Sequence, residues 1–354
     1  MKYFSLLLIM PLFLLLSCNE NIKNAKIEDV LKKAEKGDVE AQIEAGMRYY
    51  NGTDEVTKDF AEAAYWFRMA AEQGNAEGQY RLGYMYTPIA NGEKKNEELA
   101  VCLFRKAAIQ GHPYAQKELS LAFRYGSGIE ENQDSAFYWE EKAYPEILKI
   151  AESGNTEAEC QLGDCYFFGI GIKQSYTEGF NWYLKAAEQG DKRAQCRVGF
   201  CYEWGEGVEK SYTEAARWFR KSAEQDYPHA QFNYGYCYEN GYGVEKSYTN
   251  AVQWYLKAAE QGEENAQYQL AECYANGKGV EQSYEKAFQW YLKTAEQGND
   301  FAQYALGVCY AEGKGVEKSY TEAKKWLKIV AEKNYVNAQQ AQDYLRKIND
   351  CYDD

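Results

Sequence analysis

The sequence repeats itself with a period of 36 residues over most of its length. An Ala-Glu pair stands near the end of each repeat, and successive pairs begin at positions 151, 187, 223, 259, 295 and 331. The segment from Ala194 to Asp226 shows the pattern in full: AQCRVGFCYEWGEGVEKSYTEAARWFRKSAEQD. A fixed period of this length is typical of arrays of stacked supersecondary units. We therefore predict a solenoid.

The first half of each repeat has the pattern of a helix that ends at a glycine turn. Ala194, Val198 and Cys201 fall on one stripe of this helix. The turn Gly205–Gly207 follows, and glycine there supplies the left-handed residue that ends a helix. An isolated glycine inside a helix costs about 1 kcal/mol relative to alanine, so its recurrence indicates close packing. These helical glycines are Gly83, Gly163, Gly199, Gly235 and Gly307.

The second half of each repeat has the pattern of another helix. Ser211 and Glu214 form a capping box at its start, and Trp218 and Phe219 belong to its apolar stripe. Neither helix can bury its stripe alone, so neighbouring repeats must stack to form a continuous core.

This pattern resembles the Sel-one-like repeat, a relative of the tetratricopeptide repeat. The resemblance rests on A-Q-x-x-L-G-x-x-Y-x-x-G-x-G-V and A-x-x-W-Y-x-K-A-A-E-Q-G, which stand nearly intact at 158–190 and 302–334. It implies an all-α fold, a right-handed α/α superhelix of about eight helix-turn-helix repeats. It also implies a role in protein contacts, with no shared chemistry.

The pattern divides the chain into five parts. They are a signal peptide (1–17), a lipidated tether (18–26), an N-terminal capping helix (27–37), eight repeats (38–334) and a C-terminal capping helix (335–354). In the second repeat Pro88 requires the first helix to end before it. The third repeat, 112–154, is seven residues longer than the period, and we expect Pro145 to interrupt its second helix.

The N-terminus reads MKYFSLLLIMPLFLLLS and is followed by Cys18. The apolar run is too short for a membrane span and has the form of a signal peptide. Its end resembles a bacterial lipobox, in which the cysteine is acylated and anchors the protein. Asn19 after the cysteine favours the outer membrane or periplasmic face over the inner membrane. The alternative is an ordinary secretory signal with an incidental cysteine.

The charge is strongly acidic. The chain has 40 basic and 54 acidic residues, and removing Lys2 with the signal peptide changes the net charge from −14 to −15. Such a protein has no electrostatic reason to bind nucleic acid or an anionic lipid face.

Nine cysteines follow Cys18, and five of them occupy one repeat position. They are Cys165, Cys201, Cys237, Cys273 and Cys309. Equivalent positions on stacked helices are about 8–10 Å apart, which is beyond disulfide reach. We expect buried free thiols there. Cys160 and Cys196 are expected to point toward the concave groove.

Catalytic and metal-binding patterns are missing from the sequence. It has two histidines, no Cys-x-x-Cys spacing and no motif around a nucleophile. We therefore predict no metal, no cofactor and no enzymatic activity.

The concave groove is the candidate binding site. By analogy with tetratricopeptide arrays, the first helices line it, and rigid aromatic groups beside fixed charges suit an extended peptide. The alternative is that many of these side chains pack between helices. The predicted groove residues are Tyr80, Tyr84, Tyr125, Asp164, Phe168, Arg193, Phe200, Trp204, Phe232, Tyr236, Glu239, Tyr268 and Tyr304.

These observations favour a lipid-anchored bacterial envelope protein that scaffolds an unknown protein or extended peptide. The alternative is a peptidoglycan- or β-lactam-interacting protein with weak hydrolase activity. It rests on a resemblance to the cysteine-rich secreted branch of the family, whose second-helix cysteines are missing here. A third alternative is a spacer without a ligand in its groove.

Overall fold

The computed structural model describes residues 22–87, 96–333 and 337–350, which form helices and connecting turns and contain no strand. The predicted all-α array of paired helices is confirmed. Its helices are α1 (Ile27–Ala34), α2 (Val39–Asn51), α3 (Phe60–Glu72), α4 (Ala76–Met85), α5 (Glu97–Ile109), α6 (Pro113–Tyr125), α7 (Gln133–Glu152), α8 (Thr156–Phe168), α9 (Tyr176–Glu188), α10 (Lys192–Trp204), α11 (Tyr212–Ala223), α12 (Pro228–Asn240), α13 (Tyr248–Glu260), α14 (Glu264–Asn276), α15 (Tyr284–Glu296), α16 (Asp300–Glu312), α17 (Tyr320–Ala331) and α18 (Ala338–Asp350).

The even-numbered helices from α2 to α16 are the first helices of the eight repeats, here called A helices. The odd-numbered helices from α3 to α17 are the second, or B, helices. Consecutive helices pack against each other from α1 to α6 and again from α8 to α18. Within each of these two runs, an A helix therefore contacts the helix before it and the helix after it.

The chain forms two compact units, Met1–Ala143 and Tyr144–Asp354. The division falls inside α7, a 20-residue helix that contains Pro145. The prediction that Pro145 interrupts this helix is wrong. Pro145 and Glu141 are both on the exposed side of α7, so water can hydrate the carbonyl that the proline leaves without a helical partner.

Side-chain caps set where the helices begin. In the fifth repeat the Asp191 carboxylate accepts the Ala194 N–H at 2.7 Å, and the Ser211 hydroxyl accepts the Glu214 N–H at 3.3 Å. The A helix between them ends at Gly205, which has a φ of 78°. The same side-chain caps recur at the other regular repeats, except that α12 begins at Pro228 and its N-cap residue, Tyr227, makes no side-chain capping bond. A short motif thus fixes most of the element boundaries.

The glycines inside the A helices allow the B helices to pack closely, as the sequence predicts. A Cβ atom added to Gly199 would lie 2.6 Å from the Phe219 ring, and one added to Gly163 would lie 2.4 Å from the Tyr183 ring. Each aromatic ring therefore rests against bare backbone of its partner helix.

A buried glutamine in most A helices joins consecutive repeats. The Gln195 amide donates to the Ala187 carbonyl of the preceding repeat at 3.1 Å, and its oxygen accepts from Gln225 at 2.8 Å. Glutamines at the same position donate in the same way; they are Gln42, Gln79, Gln116, Gln231, Gln267 and Gln303. These bonds satisfy carbonyls at the ends of α1 and of the B helices.

The segment before α1 is docked onto the first repeat. Ile22 is 7% exposed, and the Arg48 guanidinium donates to the carbonyls of Ile22, Lys23 and Ala25 at 3.1, 2.9 and 2.8 Å. Residues 22–25, which belong to the predicted tether, are therefore held against the repeats. The signal peptide and Cys18 lie outside the described residues.

Candidate functional site

The exposed side of the five A helices in the second unit, α8, α10, α12, α14 and α16, is here called the A face. Tyrosine hydroxyls from neighbouring helices donate to carboxylates on this face. The pairs are Tyr183 with Asp164 (2.7 Å), Tyr255 with Glu239 (2.6 Å), Tyr291 with Glu272, and Tyr344 with Glu312 (2.8 Å). These bonds fix carboxylates on the A face without neutralising their charge.

Burial and the nearby carboxylates raise the pKa of Tyr183 and of Tyr255 well above the ordinary value. Both phenols therefore stay protonated at neutral pH, which they must do to act as donors. The fifth repeat has Phe219 at the tyrosine position, and its carboxylate, Glu203, instead accepts from the Trp204 indole N–H at 3.1 Å. Burial raises the pKa of Glu203.

An open cleft of about 290 Å³ lies on the A face between α8 and α10. It is lined mainly by aromatic side chains, with Phe167 and Tyr183 at one side and Phe200 and Trp204 at the other. Trp204 is 67% exposed. A large aromatic group left this open to solvent beside an apolar cleft is the kind of group that a partner covers.

Arg197 supplies the positive charge of this cleft. Its Nε atom lies 3.5 Å from an Asp164 oxygen, and its guanidinium carbon lies 5.9 Å from the centre of the Phe168 ring. The Arg197 side chain is still 42% exposed. Arg197, Phe168 and Trp204 thus combine a fixed guanidinium with two exposed rings.

The structure distributes the predicted groove residues unevenly. Tyr80, Tyr84 and Tyr125 belong to the first unit, and the other ten belong to the second. Tyr125, Phe168 and Trp204 are exposed. Nine others are half-buried: Tyr84, Asp164, Arg193, Phe200, Phe232, Tyr236, Glu239, Tyr268 and Tyr304. Of the ten in the second unit, Phe200 and Trp204 line the cleft between α8 and α10, here called the first cleft, and Asp164 and Phe168 contact its Arg197.

Several half-buried aromatic groups stabilise the A face while leaving one edge in solvent. Phe232 stacks on Tyr255 at 5.7 Å, and Tyr236 lies 6.0 Å from Tyr242. Tyr304 lies 6.5 Å from Tyr344. These rings pack between helices, as the alternative interpretation of the groove aromatics expects.

The prediction that Tyr80 lines the groove is wrong, because Tyr80 is 1% exposed and does not line a surface. Its ring stacks on His112 at 4.7 Å and lies 5.8 Å from Tyr114. His112 is held there because its Nε2 is 2.7 Å from Glu77 while its Nδ1 accepts the Ala115 N–H at 3.2 Å. The imidazole therefore covers the tyrosine.

The expectation that Cys160 and Cys196 face the groove is also wrong. Each is 3% exposed and belongs to the core, where Cys160 packs with Phe180 and Val198. The row of five repeated cysteines is buried and free of disulfides, as expected, whereas Cys102 is free and exposed. Cys351 lies outside the described residues.

The buried thiols are poor nucleophiles. Burial raises the pKa of both Cys160 and Cys201 to about 12, so these thiols stay protonated at neutral pH. Among the described residues, no group of three or more His, Cys, Asp or Glu side chains is arranged to hold a metal ion.

Arg197 is the cleft residue that the sequence reasoning missed. Arg193, Arg197, Phe200 and Trp204 are spaced at four, three and four residues, which places them on one helical stripe. The helical period that starts at Arg193 therefore predicts Arg197 on the same side of α10.

The Sel1 repeat profile matches eight segments of the chain: 39–75, 76–112, 113–144, 156–191, 192–227, 228–263, 265–299 and 300–335. The chain belongs to the Sel1 repeat family. The gap between the third and fourth segments covers residues 145–155, in the elongated third repeat.

Solved Sel1 structures resemble this Sel1 repeat protein along most of their length. A Sel1 repeat protein from Oxalobacter formigenes is 28% identical, with a TM-score of 0.54, and the match covers 98% of this chain and 97% of that one. A protective antigen of uropathogenic Escherichia coli with the SLR fold is 30% identical, with a TM-score of 0.43, over 92% of this chain and 82% of that one.

A curated relative matches a short part of the Sel1 array. The secretory immunoglobulin A-binding protein EsiB of Escherichia coli is 47% identical over 47 residues, which are 13% of this chain and 9% of that protein. Within the described part of this chain, no helix combines the length and apolar character needed to cross a bilayer.

Proposed function

We propose that this chain is a lipid-anchored scaffold of the bacterial envelope that binds an extended segment of a partner protein on its A face. Sel1 and tetratricopeptide-like repeats generally serve as protein-interaction scaffolds, and the Sel1 family is typically non-enzymatic. The exposure of Trp204 beside Arg197 and Phe168 is the observation that carries the proposal.

Tryptophan and arginine at the centre of a cleft are the residues that most often dominate the energy of protein interfaces. Covering the exposed part of Trp204 would contribute roughly 2–3 kcal/mol of hydrophobic free energy. The guanidinium of Arg197 is already oriented by Asp164 and stacked near Phe168, so little side-chain entropy is lost when a partner binds it.

Photo-crosslinking in cells tests the proposal. A photoreactive phenylalanine analogue at Trp204 should capture one dominant protein, and the same analogue at Tyr236 should capture it too. The control is Glu188, an exposed residue on the B helix α9. An identical set of products at Trp204 and Glu188 would show that the A face is not a specific binding surface.

The lipid anchor is the second part of the proposal, and it is supported by the sequence pattern that ends at Cys18. Cells grown with an alkyne-labelled palmitate should incorporate the label into the wild-type protein. The label should be absent from Cys18→Ala and retained in Cys102→Ala. A wild-type protein that stays unlabelled would rule out the anchor.

β-Lactam hydrolysis is not part of the proposal. No observation favours it, and the thiols of Cys160 and Cys201 are buried and protonated. Hydrolysis of a chromogenic cephalosporin by the purified protein would contradict the non-enzymatic assignment.

A further inference from the structure

A second cleft, of about 410 Å³, lies on the A face between α14 and α16. Its walls include the rings of Tyr268, Tyr291, Phe301 and Tyr304. The Tyr268 ring centre is 6.0 Å from that of Tyr291 and 6.0 Å from that of Phe301, and Phe301 is 42% exposed. These four aromatic residues therefore line one open space.

One carboxylate, that of Glu272, is built into the wall of this cleft. It accepts the hydroxyl of Tyr291 and the side-chain amide of Asn276, the latter at 3.2 Å. Both donors are neutral, since burial raises the pKa of Tyr291 well above its ordinary value. Within the described residues, Glu272 has no ion pair with a lysine, arginine or histidine.

The basic residue that lines the described part of the cleft, Lys314, does not neutralise Glu272. Its ammonium group is 2.7 Å from Glu312, which also accepts the hydroxyl of Tyr344 at 2.8 Å. The Lys314–Glu312 pair is neutral as a unit. The carboxylate of Glu272 therefore gives the cleft an uncompensated negative charge.

Aromatic faces and a fixed carboxylate around one space attract a cation. The negative face of each ring attracts a cation that lies over it, and the carboxylate adds a charge-assisted hydrogen bond. The first cleft has the opposite character, because there the aromatic groups surround the guanidinium of Arg197. The two clefts of the A face therefore favour ligand groups of different charge.

We propose that the cleft between α14 and α16 binds a cationic side chain, arginine or lysine, of the segment that occupies the A face. The identity of the occupant as part of a partner protein rests on the proposed function. The chemical preference of the cleft does not, because a small molecule with the same head group can report it.

N-acetyl-arginine amide is the probe, and its isosteric neutral analogue, N-acetyl-citrulline amide, is the matched ligand. Saturation-transfer NMR on the full chain should show the arginine probe binding at least tenfold more tightly than citrulline. Glu272→Gln should remove this difference while keeping an acceptor for Tyr291, and Phe301→Ala should weaken binding of the arginine probe. Circular dichroism checks that each variant stays folded.

Glu260→Gln is the matched control variant, because Glu260 is an exposed glutamate on the B helix α13 and does not line this cleft. It should bind the arginine probe like the wild type. Equal binding of citrulline and arginine, or an equal loss of binding in Glu260→Gln and Glu272→Gln, would overturn the inference.

The two proposals fail independently. Discrimination between arginine and citrulline through Glu272, with no protein captured at Trp204, would support the cationic cleft and overturn the scaffold. Capture of a partner at Trp204 without such discrimination would support the scaffold and overturn the cationic cleft.

Discussion

Glu159 stands where the neighbouring repeats have a buried glutamine. It is fully buried, and its carboxylate accepts from Gln189 at 2.5 Å and lies 2.8 Å from the ammonium group of Lys185. A carboxylate has no donor, so Glu159 cannot make the bond that Gln195 makes to the carbonyl of the preceding repeat. One side chain thus weakens a junction that is otherwise repeated.

We expect Glu159→Gln to raise the free energy of unfolding by about 1 kcal/mol, because the amide can donate to the equivalent carbonyl of Ala151. Lys185 is 49% exposed and keeps its contact with the Trp182 ring, so losing its ion pair costs little. The reciprocal change, Gln195→Glu, should lower the free energy by about 1–3 kcal/mol. Urea unfolding measures both. Shifts in the same direction would show that the glutamine hydrogen bond to the preceding repeat is not the cause.

Glu77 makes the first unit sensitive to acid. The Arg81 Nε and the His112 Nε2 lie 2.6 and 2.7 Å from its two oxygens. Burial alone would raise the pKa of Glu77, but Arg81 and His112 outweigh burial and lower the pKa to about 2. The carboxylate in the unfolded chain titrates near 4.3. Its stabilising effect is therefore complete above about pH 5 and is lost as the pH falls toward 2.

Glu77→Gln should lower the free energy of unfolding by about 1 kcal/mol at pH 7. The difference from the wild type should shrink steadily between pH 5 and pH 2.5, because the carboxylate of the unfolded wild-type chain takes up a proton in this range while the folded one, with its pKa of about 2, stays largely ionised. Thermal melts across this range measure it. Glu35→Gln, which changes an exposed glutamate, should show no such trend. A pH-independent difference for Glu77→Gln would indicate a purely steric effect.

At the scale of elements, the second glycine of the turn lets consecutive repeats stack closely, as at Gly207, Gly243, Gly279 and Gly315. Gly243 has a φ of 70°, and a Cβ atom there would lie 2.1 Å from the carbonyl oxygen of Tyr212, at the start of the preceding B helix. Gly241 has a φ of 77°, but the nearest atom to its added Cβ, on Lys246, is 3.4 Å away. Both positions need a left-handed residue, and Gly243 also allows two backbones to touch.

Gly241→Ala should therefore destabilise the protein by about 1–2 kcal/mol, the cost of left-handed backbone for an L-residue. Gly243→Ala should cost roughly 1–3 kcal/mol more, because the backbone of the preceding repeat must shift. Denaturant unfolding of the two variants side by side measures the difference. Equal destabilisation would mean that the backbone of the preceding repeat can shift without lowering the free energy of unfolding.

The elements themselves were predictable because their signals are local. The capping serine, the helical stripe and the terminal glycine lie within one repeat, and each acts on its own backbone. The continuation of α7 through Pro145 was not predictable, because it depends on which side of the helix faces solvent. A proline in the sequence shows that a backbone N–H is missing, but not whether water hydrates the carbonyl four residues before it.

The sequence predicted some of the exposed residues of the candidate site, but not the contacts between side chains of different helices. Trp204 and Phe168 follow from the helical stripe and are exposed. The burial of Tyr80 depends on His112, which lies 32 residues further along the chain and is held by Glu77. Likewise, Cys160 was placed on the wrong side because its neighbours, including Phe180, come from another helix. Such contacts require the packing of neighbouring helices to be known.

At the scale of the whole molecule, the division between Ala143 and Tyr144 separates two compact units. The second unit contains five regular repeats, from α8 to α17, and the closing helix α18. In a repeat array, stability is nearly a sum of terms within repeats and between neighbours, and about three repeats suffice. The five repeats of the second unit therefore supply enough stabilising interactions, within and between repeats, for this unit to fold without the first.

A fragment of residues 144–354 should fold on its own and melt within about 5 °C of the corresponding transition of the full chain. It begins next to Pro145, and proline is well suited to the first turn of a helix, so the shortened α7 can still start there. Circular dichroism at 222 nm and size-exclusion chromatography measure its folding.

The control fragment, 162–354, begins inside α8 and removes Cys160 from the core that it shares with Phe180 and Val198. That fragment should melt at a clearly lower temperature, because its first A helix no longer covers the apolar side of α9. Equal melting of the two fragments would show that the fourth repeat adds nothing to the second unit. Aggregation of the 144–354 fragment under conditions in which the full chain stays folded would show that the second unit depends on residues before Tyr144.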